Sequence, residues 1–139
     1  MQIRGACHCG NLVFELDWPY AAARIPARAC GCTFCRKHGA SWTSNPEARL
    51  RVIVQDPAQV ERYNFGTRTA DFHVCKRCGV PALATSRIDG RDYAVVNINT
   101  FEGVDPAMFD RSTSDFDGEA TEDRLARRKS RWIATVTGV

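Results

Sequence analysis

The sequence has no cysteine outside three short clusters, no long apolar run and little net charge. No apolar stretch approaches the roughly 18 residues needed to cross a bilayer. Residues 1–5 contain no apolar segment of the kind found in signal peptides. The net charge of +3 gives no reason to expect a nucleic acid or a membrane surface as a partner. These absences predict a cytoplasmic protein, in a compartment where thiols stay reduced and clustered cysteines usually bind metal.

The chain also lacks any sign of division into parts. It has 139 residues, a length typical of one domain. We find no internal repeat, no low-complexity segment and no clear linker. We therefore expect residues 1–139 to form a single domain.

Short alternating segments predict a fold that is mainly strands and turns. Leu12, Phe14 and Leu16 alternate with more polar positions, as in a half-buried strand. Residues 50–54, 60–65 and 72–74 are also typical of strands. Residues 82–86 and 93–98 predict a hairpin across Asp89-Gly90, with a loop longer than two residues. Residues 21–24 could begin a short helical turn that Pro26 limits.

The last part of the sequence predicts a helix. Thr121 can cap its start, acidic residues follow, and basic residues fill its last turns, in keeping with the helix dipole. An apolar face is expected from four residues at helical spacing: Leu125, Ala126, Trp132 and Ile133. We expect residues 110–123 to be largely an exposed acidic loop.

Seven cysteines fall into three clusters with metal-ligand spacing. They form a C-x-C pair, a C-x-C-x-x-C group and a C-x-x-C pair: Cys7 and Cys9; Cys30, Cys32 and Cys35; Cys75 and Cys78. Seven divides into four thiolates, which close a tetrahedral zinc site, and three, which leave one coordination position open. A disulfide framework is the competing interpretation, but it would leave one cysteine unpaired.

Spacing alone does not decide which clusters share an ion. We prefer a closed structural zinc on Cys7, Cys9, Cys75 and Cys78, and a second zinc on Cys30, Cys32 and Cys35. The other partition joins Cys32 and Cys35 to Cys75 and Cys78, as in a zinc ribbon, and leaves Cys7, Cys9 and Cys30. The preferred scheme predicts two zinc ions per chain.

The three clusters together resemble the glutathione-dependent formaldehyde-activating enzyme family, which includes centromere protein V. The family pattern appears here as Gly5-Ala6-Cys7-His8-Cys9-Gly10, as Cys30-Gly31-Cys32-Thr33-Phe34-Cys35-Arg36, and as Cys75-Lys76-Arg77-Cys78-Gly79. The resemblance covers roughly residues 3–100. It implies a β-tent fold of several small antiparallel sheets, and it supports the first partition, with the middle cluster holding a catalytic zinc.

The resemblance also implies a function. We expect a carbon–sulfur lyase that acts on the adduct of an aldehyde such as formaldehyde with a thiol such as glutathione. Arg36 and Lys37 could receive carboxylates of that thiol, and His38 could be a fourth zinc ligand or a proton carrier.

A second hypothesis comes from basic residues near the end of the sequence. On a helix, several of them would share a face that could contact phosphates: Arg124, Arg127, Arg128, Lys129 and Arg131. The chain would then be a non-catalytic zinc module that binds protein or nucleic acid. Acidic neighbours weaken this positive face, so we expect a solvated helix and regard nucleic acid as an improbable partner.

Overall fold

The computed structural model describes residues 1–19 and 24–139. Strands make up 46% of the structure and helices 19%, which confirms the mainly β fold. The helical turn predicted at residues 21–24 lies for the most part outside the described residues. In chain order the strands and helices are β1 (Gln2–Ala6), β2 (Leu12–Asp17), β3 (Ile25–Cys30), α1 (Thr33–His38), β4 (Ser41–Thr43), β5 (Arg49–Val54), β6 (Val60–Tyr63), β7 (Asp71–Cys75), β8 (Pro81–Ile88), β9 (Arg91–Asn97), β10 (Phe101–Glu102), β11 (Phe109–Ser114), α2 (Thr121–Arg131) and β12 (Thr135–Thr137).

Within these ranges the strands form two sheets. The five-stranded sheet has the order β10-β1-β2-β5-β12, and the seven-stranded sheet has the order β11-β3-β4-β9-β8-β7-β6. Most pairs are antiparallel, as expected, but an edge strand of each sheet pairs in parallel: β12 with β5, and β11 with β3. Both β11 and β12 come from the last third of the sequence. Each adds a parallel edge strand to a sheet whose other strands come mostly from earlier parts of the chain.

Alternation along the strands produces two buried apolar clusters. Leu12, Phe14 and Leu16 of β2 are fully buried in the first cluster. The second cluster lies on the other face of the seven-stranded sheet and includes Trp42 and Trp132. Cysteines from the first and third sequence motifs pack in the first cluster, and those from the middle motif pack in the second. Each candidate metal site therefore adjoins its own part of the core.

The hairpin β8–β9 differs from its prediction in the length of its loop. Ile88 pairs with Arg91, so the turn contains two residues rather than a longer loop. Asp89 and Gly90 both have positive φ, 51° and 76°, as a two-residue type I′ turn requires. The strands continue beyond their apolar centres because the ladder of backbone hydrogen bonds does not depend on side-chain hydropathy. By contrast, the predicted strand at residues 60–65 ends early, at Tyr63.

The acidic region also differs from the expected loop, because residues 109–114 form β11. This strand is mostly exposed and polar, so it has no alternation to reveal it. Its pairing with β3 supplies the backbone hydrogen bonds that a loop would lack. Because β11 is an exposed edge strand, its side chains do not alternate between apolar and polar, and the sequence pattern did not predict a strand there.

The predicted helix is present, but its start and its buried face were predicted incorrectly. Its N-cap is Ala120, without a side-chain hydrogen bond, and Thr121 is the first helical residue. Ala126 is exposed, and Trp132 and Ile133 lie beyond the helix end. The buried residue of α2 is Arg128. No helix within residues 1–19 and 24–139 has the length and apolarity to cross a membrane.

Candidate active site and metal centres

Four cysteines from two distant parts of the sequence meet beside the first apolar cluster. The β1–β2 turn supplies Cys7 and Cys9. Cys75 is the last residue of β7, and Cys78 lies in the turn between β7 and β8. All four sulfurs lie within 4.8 Å of one another. The Sγ atoms of Cys7 and Cys9 are 3.8 Å apart, and those of Cys9 and Cys75 are 3.5 Å apart. A tetrahedron with zinc–sulfur bonds of 2.3 Å has sulfur–sulfur edges of about 3.8 Å, so the cluster has the size of a zinc site.

The two turns have the backbone geometry that such a site needs. Gly10 and Gly79, each directly after a cysteine, have φ of 83° and 78°, which a side chain would disfavour. The amide of Gly79 donates to the Cys75 carbonyl at 2.8 Å and closes the turn. The amide of Leu12 donates to the Cys7 sulfur at 3.3 Å. A donor aimed at sulfur favours the thiolate form, which is the form that binds metal.

The middle motif forms a separate group of three sulfurs. Cys30 ends β3, Cys32 is the N-cap of α1, and Cys35 is buried within that helix. Their sulfurs also lie within 4.8 Å of one another. All seven cysteines are free, so the disulfide interpretation does not apply. The fold groups Cys7 and Cys9 with Cys75 and Cys78, as in the preferred partition, and it does not group Cys32 and Cys35 with Cys75 and Cys78.

Hydrogen-bond donors surround this second group. The Cys32 amide donates to the Cys30 sulfur at 3.5 Å, and the Cys35 amide donates to the Cys32 sulfur at 3.4 Å. The indole Nε1 of Trp42 donates to the Cys35 sulfur at 3.3 Å within the protein interior. Hydrogen bonding between the thiols lowers the pKa of Cys30 to about 5 and raises the pKa of Cys35. The donor set is therefore suited to thiolates that bind a metal ion.

The group of three sulfurs opens onto a cavity of about 460 Å³. All three cysteines of the group line it, whereas none of the other four is among the described lining residues. Two groups of side chains make up most of the cavity lining. Arginines come from β3 and α2, and a mainly apolar surface comes from the seven-stranded sheet and from Trp132. A ligand at the sulfurs would thus meet both charge and apolar surface.

The arginines are held rigidly in the cavity wall. Arg127 forms two parallel hydrogen bonds to Glu119, at 3.1 and 3.2 Å, and stacks on Phe116 with its guanidinium carbon 3.6 Å from the ring centre. These hydrogen bonds lower the pKa of Glu119, so its carboxylate is charged at neutral pH. Arg124 makes a longer contact to the same carboxylate, at 3.9 Å. One carboxylate is therefore shared between two guanidinium groups.

Arg128 is the most deeply buried charge of the wall, with 6 % of its surface exposed. It donates to neutral acceptors, namely the hydroxyl and carbonyl oxygens of Thr69 and the hydroxyl oxygen of Ser86. Its Nε lacks a hydrogen-bond partner among the described residues. Burial lowers the pKa of Arg128 to about 10, which still leaves it charged at neutral pH. Among the described residues, no carboxylate forms an ion pair with this cation of the cavity wall.

The charges around the cavity favour an anionic ligand. Its described lining contains four arginines, Arg28, Arg124, Arg127 and Arg128, but two carboxylates, Asp117 and Glu119. Three thiolates with one divalent ion would add a single negative charge. The remaining excess is positive, and the low-dielectric surroundings strengthen its attraction for a carboxylate.

The structure does not bring the predicted substrate-binding residues into this cavity. Arg36 and Lys37 are exposed on α1 and are absent from the described lining. The ring nitrogens of His38 are buried without a hydrogen-bond partner in the described residues, and the ring packs against Phe34 with centroids 4.3 Å apart. His38 is not part of the group of three sulfurs. Roles for these three residues stay predictions.

Sequence reasoning missed the arginine wall. The helix with clustered basic residues was recognised, but its charged face was expected to be solvated. The spacing of Arg124, Arg127 and Arg128 places them on one side of a helix, and this was the available signal. Their inward direction depends on Glu119, Phe116, Thr69 and Ser86, whose positions the sequence pattern did not reveal.

Two comparisons relate this site to known proteins. A sequence model of the family described as glutathione-dependent formaldehyde-activating enzyme matches residues 2–116. The crystal structure of a Rhodobacter sphaeroides protein is 36% identical in sequence, with a TM-score of 0.57. The similarity covers 74% of this chain and 91% of that chain. The family match includes all seven cysteines and ends before α2, so the arginines of that helix lie outside it.

Proposed function

Since the chain belongs to the glutathione-dependent formaldehyde-activating enzyme family, we propose that it makes or breaks a carbon–sulfur bond in the adduct of a thiol and an aldehyde. Family membership itself supports a glutathione-related, formaldehyde-activating type of role. The observation that carries the finer proposal is the difference between the two cysteine clusters. The group of three lines the 460 Å³ cavity, and no cysteine of the group of four is among the described residues that line it.

Zinc is the metal that we propose for both clusters. Thiolate-only ligand sets are typical of zinc, and the backbone and indole donors around the sulfurs favour the thiolate form. In this proposal Cys7, Cys9, Cys75 and Cys78 hold a structural ion. Zinc on Cys30, Cys32 and Cys35 would supply an open position at which a substrate thiol is deprotonated at neutral pH.

The arginines of the wall position the thiol in this proposal. Glutathione has two carboxylates, and Arg28 and Arg128 provide two guanidinium groups that form no ion pair among the described contacts of the cavity wall. Planar guanidinium groups bind carboxylates through two parallel hydrogen bonds. Glu119 fixes Arg127 and also contacts Arg124 at 3.9 Å, whereas Arg28 and Arg128 stay available to a ligand. The wall therefore replaces Arg36 and Lys37 as the better supported receptor for the thiol's carboxylates.

The reaction needs no oxidant. In the direction of cleavage, the carbon–sulfur bond of a hemithioacetal breaks and its electron pair stays on sulfur. The hydroxyl group on the same carbon loses its proton and becomes the carbonyl group of the aldehyde. The departing sulfur or water takes that proton. Synthesis is the same step in reverse. The cavity would favour the step by excluding bulk water and by holding the thiol in one orientation.

The structure gives little support to the alternative, a non-catalytic module that binds nucleic acid. That hypothesis needed the basic residues of α2 on a solvated face. Arg124 and Arg127 have side chains only 20% and 18% exposed, and Arg128 is buried. Lys129 and Arg131 remain exposed, which is too few cations for a strong, salt-dependent phosphate contact.

Replacement of Cys32 by serine tests the proposal. Cys32 is half-buried at the cavity, so Cys32→Ser should leave the fold intact but remove a ligand. Exchange between glutathione, formaldehyde and their adduct would be followed by NMR, together with zinc content and thermal unfolding. We expect the rate to fall to the uncatalysed level and the zinc content to fall from two equivalents to one. The melting temperature should stay close to that of the wild type.

The matched control is Cys9→Ser, in the other cluster. Cys9 is exposed, and its loss should lower the melting temperature because the structural ion links two distant turns. Any folded fraction of this variant should keep its activity. Wild-type exchange rates in Cys32→Ser would refute the assignment of the catalytic centre.

A further inference from the structure

The cavity has an apolar floor that a one-carbon aldehyde would not use. Phe72, Ala84 and Val95 are cross-strand neighbours on β7, β8 and β9, and so form a row across one face of the seven-stranded sheet. Trp42 of β4 lies in the same cavity lining. Aromatic side chains flank the small ones: the rings of Phe65 and Phe72 are stacked with centroids 5.8 Å apart. The floor is therefore continuous and uncharged, and it combines large aromatic with small aliphatic side chains.

This floor begins at the sulfurs themselves. Cys35 belongs to the same buried cluster as Trp42, Ala84 and Val95. The indole N–H of Trp42 donates to the Cys35 sulfur, and the indole ring packs against Phe72 at a tilt of 58°, with centroids 5.7 Å apart. A group attached to the carbon next to a sulfur in this cavity would thus reach apolar surface directly. The arginines lie outside this floor, and two of them, Arg28 and Arg128, donate to neutral acceptors and can also receive the thiol's carboxylates.

Formaldehyde has no substituent that could cover this surface. An apolar floor gains free energy only when apolar groups of a ligand remove it from water. Glutathione, with its carboxylates, ammonium and peptide groups, is suited to the arginine wall rather than to the floor. The remaining part of the ligand is the carbon group donated by the aldehyde.

We propose that the aldehyde whose thiol adduct this protein processes carries an apolar substituent, of aromatic or branched aliphatic type, that lies on the floor formed by Trp42, Phe65, Phe72, Ala84 and Val95. This inference rests on the proposed function and narrows its substrate class. The step is RS–CH(OH)–R′ ⇌ RSH + O=CH–R′, in which R′ is the apolar group. The carbon–sulfur bond breaks with its electrons on sulfur, and the hydroxyl proton moves to sulfur or water.

The first test uses inert probes and needs no turnover. S-Methylglutathione and S-benzylglutathione are thioethers that cannot be cleaved by this reaction. Their affinities for the zinc-loaded wild-type protein would be measured by calorimetry. Burial of a phenyl ring should make the benzyl compound bind about tenfold more tightly or better. Equal affinities would overturn the inference.

A substitution in the floor tests whether this surface causes the tighter binding of S-benzylglutathione. Phe65 lies in the loop after β6 and is partly exposed, so Phe65→Ala should fold normally. It should weaken S-benzylglutathione binding several-fold and leave S-methylglutathione binding unchanged. The control is Tyr63→Ala, since Tyr63 packs against Phe65 with centroids 5.7 Å apart but is absent from the described cavity lining. A loss of equal size in both variants, or in neither, would overturn the inference.

A turnover experiment separates this inference from the proposed function. Exchange of glutathione adducts would be compared for formaldehyde and phenylacetaldehyde, each against its uncatalysed rate. Greater acceleration for phenylacetaldehyde supports the inference. Acceleration for formaldehyde alone overturns it but leaves the proposed function standing. Acceleration for neither adduct overturns both, since a cavity without thiol–aldehyde chemistry has no substrate of this class.

Discussion

The hydrogen bond from Trp42 to Cys35 should strengthen metal binding at the group of three sulfurs. Trp42→Phe removes the indole N–H, 3.3 Å from the sulfur, and keeps most of the ring. Loss of a hydrogen bond to a metal ligand typically weakens metal affinity by 10–100-fold, about 1.4–2.7 kcal/mol. Trp42 is 5% exposed, so water has little access to replace the lost donor. We therefore expect a weakening within this range.

The assay is competition for zinc with a chromophoric chelator, which resolves the two sites by their affinities. The group of four cysteines is an internal reference and should be unaffected, since Trp42 belongs to the other apolar cluster. Trp132→Phe is the matched control: Trp132 lines the same cavity but makes no hydrogen bond to a sulfur within the described part of the chain. Equal zinc affinity in Trp42→Phe and the wild type, or equal weakening in both variants, would refute the reasoning.

Two further predictions concern the scaffold. Gly5→Ala would place a methyl group into the fully buried ring of Phe14 on the neighbouring strand, so it should destabilise the fold by about 1–3 kcal/mol; an unchanged melting temperature would contradict this. Ile133→Ala should cost about 2–5 kcal/mol in urea unfolding, because Ile133 is completely buried where the segment after α2 joins β9. The half-buried Val136→Ala, on β12, should cost clearly less, and an equal cost for both would show that burial does not govern this segment.

The cysteine clusters could be predicted from the sequence because their information is local. Two ligands in C-x-C or C-x-x-C spacing converge through a single turn, and a following glycine such as Gly10 or Gly79 permits that turn. The pairing of the first and third clusters is not local, since Cys9 and Cys75 are 66 positions apart. That pairing was supported by the resemblance to a known family, and local spacing alone left it open.

The arginine wall could not be predicted in the same way. The partners of Arg128 lie 59 positions away, at Thr69, and 42 positions away, at Ser86. The local sequence around a basic helical residue does not show whether its side chain is solvated or enters a cavity. The strand β11 could not be predicted for a similar reason. Its side chains are mostly polar, and its strand conformation depends on parallel pairing with the distant β3. In each case a distant backbone or side chain decides the outcome.

The parallel pairing of β12 with β5, together with the bridge between Ala94 and Ile133, has a consequence for biosynthesis. A ribosome releases the chain from its amino end, so all seven cysteines emerge by residue 78, well before α2. During that interval the sulfurs can already recruit ions, whereas the pocket lacks the helix that encloses one side. A nascent chain would thus acquire its metals first and its selectivity for ligands last, when residues 121–137 dock onto strands that are already in place.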